Sequence, residues 1–381
     1  ERAGLDAYQA GALLERMGEI ESLVGRYDAA IKRFRLAVER IPTSSPGVVA
    51  RLQRRIGTSL LLKSAYSEAA EAFSAGLASL VDADHIEAAR IGVQVGQLHL
   101  RRGDLAAARS ALTQAVDLGG RLNADDLVAD GLQHLGTVVF HSDDVRGAIE
   151  ISERSRAIHE RNQNLSGIAE VRNNLGIAYR RLTRWDDALS EYDACLALFE
   201  RIGNPRGVAL THNNIGEVHR SRGDLCRAIA SYERAQASFQ NIGAATEAAV
   251  ALIGLGAARV ELGHTLQGHL DLLDAAARLE ALGDNAYLAD AYRYLASAEL
   301  SAGDLVAAEQ NGRRSLALAR ANTARHQQAA TLRVLGEIAI AGGASQSARA
   351  LLEESRELLQ QLGDTPELAK TEAVLERVFS V

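Results

Sequence analysis

One position recurs along the chain at almost constant spacing, and it limits what the chain can fold into. Met17, Ile56, Val95, Leu135, Leu175, Ile215, Leu255, Leu295 and Leu335 stand 39, 39 and then six times 40 residues apart, and all nine are apolar. The residue after each is Gly18, Gly57, Gly96, Gly136, Gly176, Gly216, Gly256, Ala296 and Gly336. Thirteen residues past each anchor stand Ala30, Ala69, Ala108, Ala148, Ala188, Ala228, Gly268, Ala308 and Ala348. A turn residue recurs between the two small positions: Gly25, Gly103, Gly223, Gly263, Gly303 and Gly343, with Ser64, Asp143 and Thr183 in the other copies. Such phasing specifies a stack of like units, each buried only against its neighbours.

The fifth copy shows what the unit is. Leu175 and Tyr179 lie one helical turn apart on one face, and Gly176 lets a second helix approach closely. A break at Leu182-Thr183-Arg184 ends this helix, and Trp185, Ala188 and Tyr192 mark the inner face of the next. The unit is a helical hairpin, with helix A before the turn and helix B after it. Trp185, the only tryptophan, is expected to fill the core position of its hairpin.

These residues resemble the tetratricopeptide repeat, whose pattern is W-x2-L-G-x2-Y, then A-x3-F, then P. Leu175, Gly176 and Tyr179 match the first part, and Ala188 with Tyr192 matches the second. In the first copy Ala30, Phe34 and Pro42 match the second part and the proline. The opening tryptophan is missing, and the period is near 40 instead of about 34. That longer form is similar to arrays of spindle scaffold proteins, kinesin light chains and bacterial signalling regulators. The resemblance implies an all-α, right-handed α-solenoid of about nine hairpins over residues 1–363, with a C-terminal capping helix at 364–381. The expected repeats are 1–41, 42–81, 82–120, 121–161, 162–202, 203–242, 243–282, 283–322 and 323–363.

Within that frame Leu5, Tyr8, Ala12 and Leu13 are expected on the inner face of the first helix. The run Pro42-Thr43-Ser44-Ser45-Pro46-Gly47 ends the first hairpin, and Asp104 can cap the helix that follows it. The seventh copy is degenerate, because Thr265 and Gly268 replace a large apolar residue and the usual alanine. A looser hairpin that acts as a hinge is expected there. Leu375 falls 40 residues after Leu335, so the tail reads as the A helix of an unfinished unit.

Bulk properties exclude several functions. A net charge of −7 argues against general nucleic-acid affinity, and no run of 18 uncharged apolar residues is present to span a membrane. Cys195 and Cys226 lie in different copies and read as small packing residues. Lysine occurs only at 32, 63 and 370, so the basic residues are nearly all arginine, a usage associated with GC-rich bacteria. A start on Glu1 inside a helix suggests a domain of a longer cytoplasmic protein. No H-E-x-x-H, P-loop or G-x-S-x-G occurs, and Gly254-Leu255-Gly256 is the repeat's own packing glycine. His212 and His219 share a face without a third ligand, so no metal, cofactor or catalytic residue is expected.

By the same resemblance the A helices line a concave groove, and positions just before and after each anchor turn into it. This selects Gln133, His134, Asn173, Asn174, Arg180, Asn213, Asn214, Glu217 and Arg220 as partner-binding residues. Asn174 and Asn214 would hydrogen-bond an extended peptide backbone, and Arg180 and Arg220 would pair with its carboxylates. Alternatively, the asparagines bond between neighbouring helices and the arginines are solvated. The expected role is a non-catalytic interaction or autoregulatory module of a signalling protein. Its partner would be a protein, a peptide or another domain of the same chain, with no nucleic acid and no membrane. The alternatives are an inducer-sensing domain of a transcriptional regulator or STAND-type ATPase, and a structural scaffold or dimerisation arm.

Overall fold

The computed structural model describes residues 7–41, 45–363 and 365–379, so Leu5 and the link residues Pro42-Thr43-Ser44 lie outside the described residues. The described residues form nineteen α-helices and no strand. They fall into two compact units that meet at Ala178 and Tyr179. The first unit holds α1 (Ala7–Leu23), α2 (Tyr27–Arg40), α3 (Pro46–Leu62), α4 (Tyr66–Ala78), α5 (Ile86–Arg101), α6 (Leu105–Arg121), α7 (Asp125–His141), α8 (Val145–Arg161) and most of α9 (Leu165–Arg181). The second holds α10 (Trp185–Arg201), α11 (Pro205–Arg222), α12 (Leu225–Asn241), α13 (Ala245–Glu261) and α14 (Thr265–Leu282). It continues through α15 (Asn285–Ala302), α16 (Leu305–Ala321), α17 (Arg325–Ala341), α18 (Ser345–Leu362) and α19 (Thr365–Phe379).

The packing scheme is the same in both units. In the first, α1 packs on α2, α3 on α4, α5 on α6 and α7 on α8, and the B helices α2, α4 and α6 pack on the A helices α3, α5 and α7 that follow them. In the second, α11 pairs with α12, α13 with α14, α15 with α16, α17 with α18, and α19 covers α18. Neighbouring A helices also touch, as α3 with α5 and α5 with α7, and as α11, α13, α15, α17 and α19 in turn. Each unit therefore has a layer of adjacent A helices backed by B helices, an all-α solenoid packing of repeated hairpins.

The recurrent glycine explains how each pair closes. A Cβ on Gly57 would stand 2.4 Å from the Phe73 ring, and one on Gly216 would stand 2.9 Å from Tyr232. The large side chain of the B helix lies directly over the glycine of the A helix, and Phe73 and Tyr232 are fully buried there. Each such burial contributes about 2–3 kcal/mol. In the eighth copy the sizes are exchanged: Ala296 replaces the glycine, and Gly312 stands where the large residue would be, against Leu335.

The turns have one conformation throughout. Gly25, Gly103, Gly223, Gly263, Gly303 and Gly343 are left-handed, and Ser64, Asp143 and Thr183 adopt the same region at φ 60°, 62° and 57°. A left-handed residue ends helix A after its last turn and reverses the chain. The next helix is often capped by an acidic residue: Asp104 accepts from Ala107 N, Asp144 from Gly147 N, Asp224 from Arg227 N and Asp304 from Ala307 N.

Four expectations are corrected. On α1, Tyr8, Ala12 and Leu13 are exposed, and the inner face is Gly11, Leu14, Glu15 and Gly18. The register set by Gly18 under Phe34 fixes that rotation. Trp185 is only half-buried, because it is the first residue of α10 and lies at the hairpin mouth. Cys195 is buried, but Cys226 is exposed and so does not act as a packing residue. The seventh hairpin is not underpacked: the absent Cβ of Gly268 lets α14 lie directly on the Gly256 carbonyl of α13.

Candidate functional site

The A-helix layer carries the polar side chains that hairpin packing does not consume. In the first unit Gln133 is almost buried and donates to Glu170 over 2.8 Å, while His134 and Gln97 meet at 2.7 Å. Burial holds the His134 imidazole below its ordinary pKa, against the pull of Glu170, so it is neutral at pH 7. Asp130, more than half exposed yet partly desolvated by the surrounding protein, is pushed up to about 6 by that desolvation and by the neighbouring carboxylates of Glu170 and Asp126. Asn173 and Asn174 are half-buried on α9, and Asn173 is already engaged in polar contacts.

In the second unit Arg180, Glu217 and Arg220 are brought together. Glu217 accepts a 2.7 Å hydrogen bond from the Tyr232 hydroxyl and lies 3.6 Å from Arg220 and 3.9 Å from Arg180. Burial works against its ionisation, yet Arg220, Arg180 and the tyrosine hydroxyl hold its carboxyl below the ordinary range. Glu217 is thus an internal counter-ion for both arginines. Asn213 and Asn214 are half-buried beside it on α11; the Asn213 Oδ1 is buried without a hydrogen-bond partner, and Asn214 is engaged.

Arg220 leads into a groove of about 550 Å³ lined by side chains of α11, α13, α15, α17 and α19. Its guanidinium donates to Glu261 at 3.0 Å and to the Tyr294 hydroxyl at 2.7 Å, while its Nε is buried with no acceptor. Arg293 lies over the same Tyr294 ring, 4.1 Å from its centroid, and donates to Asp290 at 2.8 Å. Arg333 pairs with Glu337 at 2.9 Å and approaches Glu367 at 3.6 Å, and its Nε is likewise buried and unpaired. Gln327 completes the wall, donating to Asp290 at 2.6 Å. Fixed guanidinium forks, a tyrosine face and carboxylates in one groove suit a ligand that is both hydrogen-bonding and charged.

Sequence reading selected Arg220 as a binding residue but did not select Arg293, Tyr294 or Arg333. They occupy the same places relative to Leu295 and Leu335 as Asn213 and Asn214 do relative to Ile215, so the register rule carried two and three hairpins further would have found them. Among the described residues no group of three or more His, Cys, Asp or Glu side chains could hold a metal ion. No described helix is long and apolar enough to cross a membrane.

A tetratricopeptide-repeat family model matches residues 127–201 and 167–241. No curated protein matches the sequence. Among solved structures, a Rap protein complexed with competence and sporulation factor aligns at TM-score 0.70 and 12% identity, over 93% of this chain and 98% of that one. The Rap conjugation gene regulator of plasmid pLS20, in complex with the Phr* peptide, aligns at TM-score 0.61 and 12% identity, over 94% and 97%. A STAND protein with a tetratricopeptide-repeat sensor from Pyrococcus horikoshii aligns at TM-score 0.64 and 14% identity, over 99% of this chain and 55% of that one. These likenesses share the fold. The family model assigns residues 127–241 to the tetratricopeptide repeat, and the nine-fold register and its small-residue contacts carry the same kind of hairpin through the other described residues.

Proposed function

We propose that the chain is a non-catalytic regulatory module that holds a peptide, or an extended segment of a partner protein, on its A-helix face. The observation that carries this reading is the groove of the second unit, where Arg220 and Arg293 lie against the Tyr294 ring and Arg333 lines the same groove. A peptide offers guanidinium groups carbonyl and carboxylate acceptors along a narrow chain. The Rap structures of similar fold, one with competence and sporulation factor and one with the Phr* peptide, support a peptide as the ligand class. Asn213, Asn214 and Arg180 extend this face on the second unit, and Gln133, His134, Asn173 and Asn174 are assigned the same role on the first. A small apolar inducer is a poorer fit, since enclosed apolar walls are what such ligands require and this lining is charged.

The test is selection of a displayed peptide library on the whole chain, followed by affinity measurement against Arg293→Gln and Tyr294→Ala variants. The reading expects selected peptides to bind either variant at least tenfold more weakly, with helicity unchanged. Equal binding to all three forms would remove the second-unit groove as the site.

A further inference from the structure

Asp130 lacks the partner that comparable acidic residues of the A helices have. At the same place in the eighth copy, five residues before the anchor, Asp290 receives Arg293 at 2.8 Å and Gln327 at 2.6 Å. Glu87 takes both Arg54 and Arg90, and Glu337 takes Arg333. Three residues on from Asp130 stands Gln133, which turns to Glu170 instead. Among the described residues Asp130 accepts no hydrogen bond and meets no arginine or lysine, and its side chain is 58% exposed. A second residue points at the same carboxylate. Twenty-four residues past the anchor, later copies bury Phe199, Phe239, Leu279, Ala319 and Leu359, whereas the fourth copy buries His159 completely. Asn164 accepts from Gly167 N, so its amide nitrogen, 3.3 Å from the imidazole Nδ1, is the donor there. The imidazole proton is therefore on Nε2. That atom is buried, has no hydrogen-bond partner and lies 3.9 Å from the Asp130 carboxylate. Burial keeps the ring neutral, so it aims a dipole at Asp130 without cancelling the charge.

Asp130 and Asp126 line a cleft of about 510 Å³ in the first unit, together with the apolar side chains of Ile86, Val93 and Leu127. Arg54 and Arg90 line it too, but both are committed to Glu87. Among the described residues no acidic cluster could hold a metal ion, so the cation that suits this cleft is an organic one. Apolar walls beside carboxylates match a long basic side chain, whose aliphatic stem needs burial and whose charged head needs acceptors. We infer that this cleft takes the side chain of an arginine or lysine from a polypeptide partner. Its head meets Asp130 and Asp126, and its stem lies on Ile86, Val93 and Leu127. His159 is a positioning residue, holding the Asp130 carboxylate through the Nε2 dipole while leaving it charged. The site uses no residue of the second-unit groove, so either reading can fail without the other.

The probes are acetylated and amidated Gly-Gly-Xaa-Gly-Gly peptides with arginine, lysine or citrulline at Xaa, and free spermidine. Each is titrated into the whole chain carrying labelled methyl groups and followed by nuclear magnetic resonance. The arginine and lysine peptides are expected to shift the methyl signals of Ile86, Val93 and Leu127 saturably. The citrulline peptide, which keeps the shape without the charge, is expected to bind about tenfold more weakly or worse. Asp130→Asn is expected to weaken the arginine peptide by about the same factor with the rest of the spectrum unchanged, since the exposed carboxylate accepts no hydrogen bond. His159→Phe brings in the residue type that fills this place as Phe199 and Phe239. It is expected to weaken the arginine peptide about threefold without lowering the melting temperature, which a purely packing role would not produce. Absence of saturable shifts at those methyl groups, equal binding of the citrulline peptide, or equal binding by either variant overturns the inference. So does spermidine binding more tightly than both basic peptides, since the ligand would then be a free polyamine.

Discussion

Gly256 and Gly268 meet backbone to backbone: a Cβ built on Gly268 would stand 2.5 Å from the Gly256 carbonyl oxygen and 2.9 Å from the Val260 nitrogen. Eight copies of the repeat have alanine at the place of Gly268, so by sequence alone Gly268→Ala restores the consensus. The geometry predicts the reverse. Backbone cannot swing aside as a side chain can, and α13 and α14 would have to separate. The substitution should cost about 1–3 kcal/mol. Thermal melting of the variant tests this, and a rise in melting temperature would count against the packing described.

The Tyr232–Glu217 bond gives a second prediction. Tyr232→Phe leaves a buried carboxylate without its hydroxyl donor, and loss of a hydrogen bond to a charged group costs about 1.5–3 kcal/mol. Because the folded pKa of Glu217 is depressed, its contribution is fully present above the unfolded value near 4.5 and is lost as pH falls through the lower folded value. Glu217→Gln should therefore lose stability at neutral pH and show a shallower decline below about pH 4.5. Denaturant titrations between pH 3 and 7 would measure both slopes.

Asp130 has the opposite sign. Its folded pKa, about 6, lies above the ordinary 3.8, so its contribution is full below 3.8 and is lost as pH rises through 6. Asp130→Asn should accordingly be more stable than the parent at pH 8, with the two converging below about pH 4. The carboxylate side chain is more than half exposed, so the gain should stay under about 1 kcal/mol. Melting curves at the two pH values check the crossing.

How far the fold was legible depended on whether a residue's role was set within one hairpin. The anchors, the glycine beneath the large B-helix residue and the left-handed turn residue, including Asp143 and Thr183, all act locally and recur, so register alone revealed them. Trp185 was misjudged because size suggested core, whereas its place as the first residue of α10 leaves it at the hairpin mouth. Gly268 was misjudged because a missing side chain was taken as a missing contact, when it permits a closer one. Tyr8 and Leu13 of α1 were assigned inward by hydrophobicity, and only the fit of Gly18 under Phe34 fixes that helix's rotation. Among the candidate site residues, the sequence could not show that Glu217 neutralises Arg180 and Arg220 from inside. The register could list Arg293, Tyr294 and Arg333, but not the Arg220–Tyr294 hydrogen bond, which joins residues 74 positions apart.

The central claim is that the A-helix face of the second unit holds a peptide. Hydrogen–deuterium exchange on the whole chain, with and without a library-selected peptide at saturation, tests it most directly. The account predicts slowed exchange concentrated in α11, α13, α15 and α17, with α12, α14, α16 and α18 unchanged. Protection confined to the B helices, or none at saturation, would contradict it.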